Sequence, residues 1–147
     1  MIKLYTDGAC RNHIKKDGAW AYICIMEDKT ETDGSGYAED TTNNRMELQA
    51  AIEGIKSLNG TMDKIIVYSD SKYLVDGMNL WLKNWRNRDW KKRDNTEIPN
   101  LDLWQTLNCL NADFFISWSW VRSHNGNYYN EIVDKMAVNC IENYALI

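Results

Sequence analysis

With 147 residues, 44% of them hydrophobic, the chain can bury one packed core without staples, and no apolar run is long enough to span a bilayer. Its four cysteines (Cys10, Cys24, Cys109, Cys140) show neither CxxC pairs nor metal-finger spacing, which sets aside a disulfide scaffold and a zinc module and points to a reducing compartment. The net charge of −4 argues against a polyanion partner only as a global figure, because residues 81–94 reverse it locally. There Lys83, Arg86, Arg88, Lys91, Lys92 and Arg93 stand against Asp89 and Asp94, a balance of +4 that leaves −8 for the remainder. Met1-Ile2-Lys3-Leu4 enters a strand pattern directly, without the apolar run of a signal peptide. The expectation is a cytoplasmic, soluble, monomeric protein with no membrane partner.

Ile2 to Thr6 alternates apolar and polar residues, which predicts a strand, and Asp7-Gly8 reads as the turn that ends it, Gly8 supplying a positive φ. After a polar loop from Arg11 to Asp17, the run Ala19–Met26 is apolar on both faces, as in a covered central strand. Lys29 to Tyr37 is polar and contains glycine, which suits an edge strand. Leu48, Ala51, Ile52, Ile55 and Leu58 fall at helical spacing and predict a helix from about Asn44 to Asn59, closed by Asn59-Gly60. Asn44 stands three residues before Glu47, so Glu47 reads as a capping-box acid as readily as a group for chemistry.

Ile65-Ile66-Val67-Tyr68 is a short β-branched strand running into Ser69-Asp70-Ser71 and a helix that buries Tyr73, Leu74 and Met78. Strand, loop, helix is the α/β signature, and Asp70 is equally suited to cap that helix. Leu80 to Trp90 predicts a second helical piece rich in tryptophan and cations. Pro99 precedes a helix carrying Leu101, Trp104, Leu107 and Leu110; Phe114 to Val121 is a strand; Ser123 to Tyr129 is loop-like; residues 130–144 form a last helix. No repeat or linker interrupts this order, so residues 1–147 read as one α/β domain of about five strands.

Four acids stand out by position. Asp7 closes the first strand, Glu47 lies in the first turn of a helix, Asp70 closes the fourth strand, and Asp134 lies early in the last helix. If the first and fourth strands are parallel neighbours, Asp7 and Asp70 emerge side by side at their C-terminal ends, where open α/β sheets place their sites. Clustered carboxylates repel unless a divalent cation neutralises them, and an all-oxygen set suits Mg²⁺, with Mn²⁺ as substitute. Two such ions about 4 Å apart can activate water and stabilise the leaving oxygen of a phosphodiester.

Tyr5-Thr6-Asp7-Gly8-Ala9-Cys10, Thr42-Asn43-Asn44-Arg45-Met46-Glu47-Leu48, Tyr68-Ser69-Asp70-Ser71 and Val121-Arg122-Ser123-His124, with Asn130-Glu131 and Asp134, resemble type 1 ribonuclease H of the bacterial kind over nearly the whole chain. The resemblance implies a ribonuclease H-like α/β fold: a five-stranded mixed sheet, first three strands antiparallel and the rest parallel, flanked by helices. It implies endonucleolytic hydrolysis of the RNA strand of an RNA–DNA hybrid, leaving 5′-phosphate and 3′-hydroxyl ends, with two Mg²⁺ ions per site. Asp7, Glu47, Asp70 and Asp134 match the family's metal-binding acids, His124 its loop histidine that moves protons or helps product leave, and Glu131 an acid linked to product release.

Thr42 and Asn100 match members of a pocket for a DNA-strand phosphate, and Asn43 and Asn44 match readers of the minor groove, where 2′-hydroxyls distinguish RNA. Helix capping also accounts for Thr42 and Asn43, and a solvated turn for His124. Trp81 and Trp85, with their cations, match a basic protrusion that meets the hybrid backbone, although four-residue spacing on a helix also suits core. Trp20, Trp104, Trp118 and Trp120 lack charged neighbours in sequence and are assigned to packing.

The chain departs from the family pattern where Arg11-Asn12-His13-Ile14-Lys15-Lys16-Asp17 replaces a Gly- and Pro-rich loop, with Asn12 in line for a groove contact. Asp40 stands at the phosphate-pocket arginine, and Lys72 where glutamine is usual. No hybrid-binding domain accompanies the catalytic one. A proofreading-type exonuclease would show an Asp-x-Glu pair on the first strand, which is absent; a catalytically silent binding module would lack one or more of the acids, and all four are present.

Overall fold

The computed structural model describes residues 1–11, 16–123 and 126–145. Its strands are β1 (Ile2–Cys10), β2 (Gly18–Ile25), β3 (Glu31–Ala38), β4 (Ile65–Ser69) and β5 (Ile116–Trp120), joined in one sheet of order β3-β2-β1-β4-β5. The β1–β2 and β2–β3 pairs are antiparallel, and the β1–β4 and β4–β5 pairs parallel. One expectation fails here. Asp7-Gly8 is not a turn: β1 runs on to Cys10, with Asp7 opposite Ala21 and Gly8 opposite Trp20. The glycines with positive φ are Gly60 and Gly126, so Gly8 serves another purpose.

Helix α1 (Asn43–Lys56) starts at Thr42, whose hydroxyl accepts the Arg45 N–H at 3.2 Å. That corrects the capping-box reading, because the cap is Thr42 rather than Asn44 and Glu47 lies beyond the first turn. The α-helical pattern also stops earlier than expected, at Lys56, and tighter turns carry the chain to Gly60 at φ +87°. The segments read as two helical pieces are one continuous path: α2 (Lys72–Asp76), a π turn (Gly77–Trp81) and α3 (Leu82–Asn87). Ser71, not Asp70, caps it, accepting the Leu74 N–H at 3.2 Å. A β-carbon on Gly77 would lie 2.0 Å from the Trp104 ring, so glycine is what lets this helix approach α4 (Leu101–Asp113).

The alternation of β1 divides the molecule. Ile2 and Leu4 join Leu48, Ile52 and Ile55 of α1 and Leu103, Trp104 and Leu107 of α4 in the larger core. Tyr5, with Ala21 and Ile23, packs on Val133 and Ala137 of α5 (Tyr128–Ala145) on the other face. Each fully buried aliphatic chain stabilises this sandwich by about 1.5–3 kcal/mol. Among the described residues no helix is long and apolar enough to cross a membrane.

At the base of the 11–17 loop, Asp17 is fully buried. Its carboxylate accepts from Arg11 Nε at 2.7 Å, from Arg11 Nη2 and from the Tyr37 hydroxyl, while the Arg11 N–H donates to the Asp17 carbonyl at 2.8 Å. Those donors hold Asp17 well below the usual carboxylate range, so its stabilisation is present above that range and fades as pH falls.

Candidate active site

Tyr5 and Tyr68 are the last paired residues of the parallel β1–β4 ladder, and Asp7 and Asp70 each lie two residues beyond. Equal offsets on parallel strands bring the two carboxylates to one level. From the opposing helix Glu47 reaches the same point, and one carboxylate oxygen from each of the three lies within 4.8 Å of the others. Asp134, on α5, hydrogen-bonds with Asp7 and closes the set. Asp7 and Glu47 are buried, at 3% and 5% exposure.

Gly8 makes this convergence possible. Its N–H donates to Glu47 Oε1 at 2.6 Å, and a β-carbon there would lie 2.4 Å from the main-chain N of Glu47 and C of Met46. Strand and helix backbones therefore touch only because the residue has no side chain. At Asp70 the Asn130 amide donates to Oδ2 at 3.5 Å, and the Trp120 indole N–H donates to the main-chain carbonyl at 3.1 Å.

Burial, followed by the charges of Glu47 and Asp70, pushes Asp7 far above the ordinary carboxylate range. Glu47 also rises, through burial and then the charges of Asp70 and Asp134, against the lowering effect of its hydrogen bonds from Asp7 and the Gly8 N–H. No lysine or arginine among the described residues forms an ion pair with these acids. An all-oxygen, mutually repelling and partly protonated set of this kind fits a hard divalent cation, which Asp7, Glu47, Asp70 and Asp134 would hold.

A measurable linkage follows. Groups whose folded values are raised favour folding below their unfolded values, near pH 4, and oppose it increasingly as pH rises through the folded values. Without a cation the cluster therefore destabilises the neutral-pH fold. Mg²⁺ or Mn²⁺ is expected to raise the melting temperature, by an amount equivalent to about 2.7 kcal/mol at a hundredfold excess over Kd. Binding should also release protons, read as a dependence of the calorimetric heat on the buffer's ionisation enthalpy. Heats identical in all buffers at pH 7 would mean that the cluster holds no displaceable proton.

The remaining candidates fall into groups. Thr42 caps α1, with Asn43 and Asn44 exposed in its first turn. Asn100 precedes α4 in a left-handed conformation, its Oδ1 accepting from Arg45 at 3.2 Å and its Nδ2 donating to the Tyr73 hydroxyl at 3.0 Å. Arg45 also makes a fork with Asp102, at 3.0 and 2.7 Å. Arg45 was missed as a site candidate although it lies inside the 42–48 motif. Asp40, by contrast, is exposed at φ +49°.

Trp81 and Trp85 are half-buried, their rings 5.8 Å apart and packed on Trp104 and Tyr73, so each has both a core side and an outer side. The cations of 83–93 are exposed and free of ion pairs among the described residues, with Arg86 donating to Asn108. Glu131 lies half-buried in the first turn of α5. Asn12 and His124 lie outside the described residues. One assignment is corrected: Trp104 and Trp118 are buried, but Trp120 is 40% exposed and sits beside Asp70 with Lys72 over its ring.

The sequence profile of the RNase H family matches residues 1–142. A protein of Francisella philomiragia named ribonuclease H is 44% identical over 137 residues, covering 93% of this chain and 88% of that one. Its namesake in Francisella tularensis subsp. novicida is 42% identical over the same spans. Among solved structures, LC9-RNase H1, a type 1 RNase H with the type 2 active-site motif, superposes with a TM-score of 0.85 at 29% identity, covering 97% of this chain and 72% of that one. LC11-RNase H1, solved with an RNA/DNA hybrid, shares the fold at a TM-score of 0.70 and 17% identity, covering 96% of this chain and 99% of that one.

Proposed function

This chain belongs to the RNase H family and is an enzyme of the ribonuclease H kind, and we propose that it hydrolyses the RNA strand of RNA–DNA hybrids endonucleolytically, with two divalent cations, leaving 5′-phosphate and 3′-hydroxyl ends. The observation that carries this reading is the meeting of Asp7, Glu47 and Asp70 within 4.8 Å, with Asp134 bonded to Asp7. Asp7, Glu47, Asp70 and Asp134 would hold Mg²⁺, or Mn²⁺ in its place. When bound, such a pair supplies an activated water and neutralises charge at the phosphoryl group.

The chain's own contribution is placement. Gly8 fixes the Glu47 carboxylate through its N–H, and Asp7 releases its proton as the set is neutralised. Thr42, Arg45 and Asn100 form the natural cradle for a DNA-strand phosphate, with Asn43 and Asn44 turned to the groove and Lys72 close to Asp70 in sequence. For this to happen Arg45 must share its guanidinium between Asp102 and the incoming phosphate. His124 and Glu131 keep the roles their motif implies, proton movement and product release. We read 1–147 as a single catalytic domain acting as a monomer, and the four free cysteines suit the cytoplasm.

The test is incubation of labelled hybrid, duplex RNA and duplex DNA with Mg²⁺ or with EDTA. Cleavage confined to the RNA strand of the hybrid and abolished by EDTA is expected. Equal cutting of duplex RNA, or cutting that survives EDTA, overturns the reading.

Exposed, unpaired cations at 83–93 add a further expectation, since each phosphate contact lowers log affinity against log salt by roughly 0.9 for B-form DNA. Replacing Lys91, Lys92 and Arg93 with alanine should weaken hybrid binding and flatten the slope of log KM against log salt by about two units, with kcat nearly unchanged. Parallel lines for parent and variant would leave the segment as a solvated face.

A further inference from the structure

We propose that Trp120 is a positioning residue of this site, its indole N–H fixing the main chain at Asp70 while its ring face holds the Lys72 ammonium ready for a substrate phosphate. The proposal rests on reading the acid cluster as the hydrolytic centre. Trp120 ends β5 opposite Ser69, the last residue of β4. One more ladder bond follows, from the Val121 N–H to the Ser69 carbonyl at 2.9 Å, and there the sheet stops holding the chain. The Asp70 carbonyl lies one residue further on, and it is the Trp120 indole that donates to it, at 3.1 Å. A side chain thus continues the work of the ladder at the residue whose carboxylate enters the cluster.

That anchor matters because the Asp70 carboxylate is weakly held on its own. Its protein donor is the Asn130 amide at 3.5 Å, longer than a good hydrogen bond. Its direction is therefore inherited from the main chain. Inside the turn Ser69 Oγ accepts the Ser71 N–H at 3.0 Å; Trp120 supplies the brace from the β5 side. Packing does not account for the residue, since two-fifths of it is exposed.

Lys72 supplies the second, independent observation. It opens α2, where a cation opposes the helix dipole, and it has no acid partner among the described residues. Its Nζ instead lies 4.7 Å from the centroid of the Trp120 ring, within the range of a cation–π contact. An ammonium held in place without being neutralised, two residues from Asp70, is available to a phosphate of the hybrid.

Three variants separate these roles: Trp120→Phe keeps a ring face and loses the donor, Trp120→Leu loses both, and Lys72→Met loses the cation. Trp120→Phe is expected to lower kcat about five- to tenfold with KM within about twofold, because a displaced metal-holding acid affects chemistry more than docking. Its Mn²⁺ midpoint in a thermal titration should rise about threefold or more, a readout independent of turnover. Lys72→Met should raise KM about three- to fivefold, and Trp120→Leu should show both losses.

In the double variant Trp120→Leu with Lys72→Met, KM should be no higher than in Lys72→Met alone, since the two residues form one unit. Parental kcat and Mn²⁺ midpoint in Trp120→Phe overturn the anchor, and additive KM changes overturn the ring-held cation. Should Trp120→Leu fail to fold, Trp120→Phe and the exposed Lys72→Met still decide the first role, and a parental KM in Lys72→Met overturns the second. Failure of the hydrolytic-centre reading would show separately, as EDTA-resistant cleavage by the parent.

Discussion

Asp70→Asn is expected to abolish hybrid cleavage, by about 10³-fold or more, in a protein that melts at or slightly above the parental temperature without metal. The carboxamide keeps the shape of the side chain and its place beside the Trp120 donor, and removes one negative charge. Asp7 and Glu47 are both raised in part by the Asp70 charge, so losing it relieves repulsion inside the cluster. Activity and stability should therefore move in opposite directions, which a misfolded variant cannot imitate. Mg²⁺ should stabilise the variant less than the parent. Substantial turnover at saturating Mg²⁺ would falsify the role given to these acids.

Gly8→Ala is expected to be nearly as damaging, by another route. The added carbon would sit 2.4 Å from backbone atoms of Met46 and Glu47, and neither strand nor helix can move a single atom out of its way. The start of α1 must back off, at a cost of about 1–3 kcal/mol as overpacking. The same shift lengthens the Gly8 N–H contact that aims Glu47, and a displacement near 1 Å costs on the order of 10²-fold in rate. Gly60→Ala is the contrast: its β-carbon meets nothing within 4 Å, and its φ of +87° imposes only local strain. It should lower the melting temperature a little and leave kcat alone. Equal kcat in parent and Gly8→Ala would show that Glu47 is placed by something other than this contact.

The contrast between those glycines marks what the sequence could convey. Local patterns were legible: the period-2 and period-3.6 runs located every strand and helix, and two parallel strands ending in aspartate implied the meeting of Asp7 and Asp70. Gly8 was read as a turn because Asp-Gly is local turn chemistry, whereas its need for glycine comes from α1, some 39 positions away. Glu47 resembled a cap for the same reason, since its partner is the Gly8 N–H rather than its own helix end. Trp120 was assigned to packing because its charged neighbour Lys72 is distant in sequence and adjacent only through the β4–β5 ladder. Arg45 escaped notice because its partners, Asn100 and Asp102, lie on another helix.

The π turn at Gly77–Trp81 has a consequence for how this chain can change length. A π turn holds one residue more than an α turn, and each residue rotates a helix by about 100°. Leu82 is buried, and Trp81 and Trp85 rest on Trp104, only because that extra residue has been counted in. Deleting any one residue between Gly77 and Trp81 would restore a regular helix and turn everything after it by more than a quarter revolution. Leu82 would leave the core, and the lysines and arginines that follow would point elsewhere. In this stretch the residue count is itself a specification: substitutions can be absorbed one side chain at a time, but a change of length re-aims the whole basic arm.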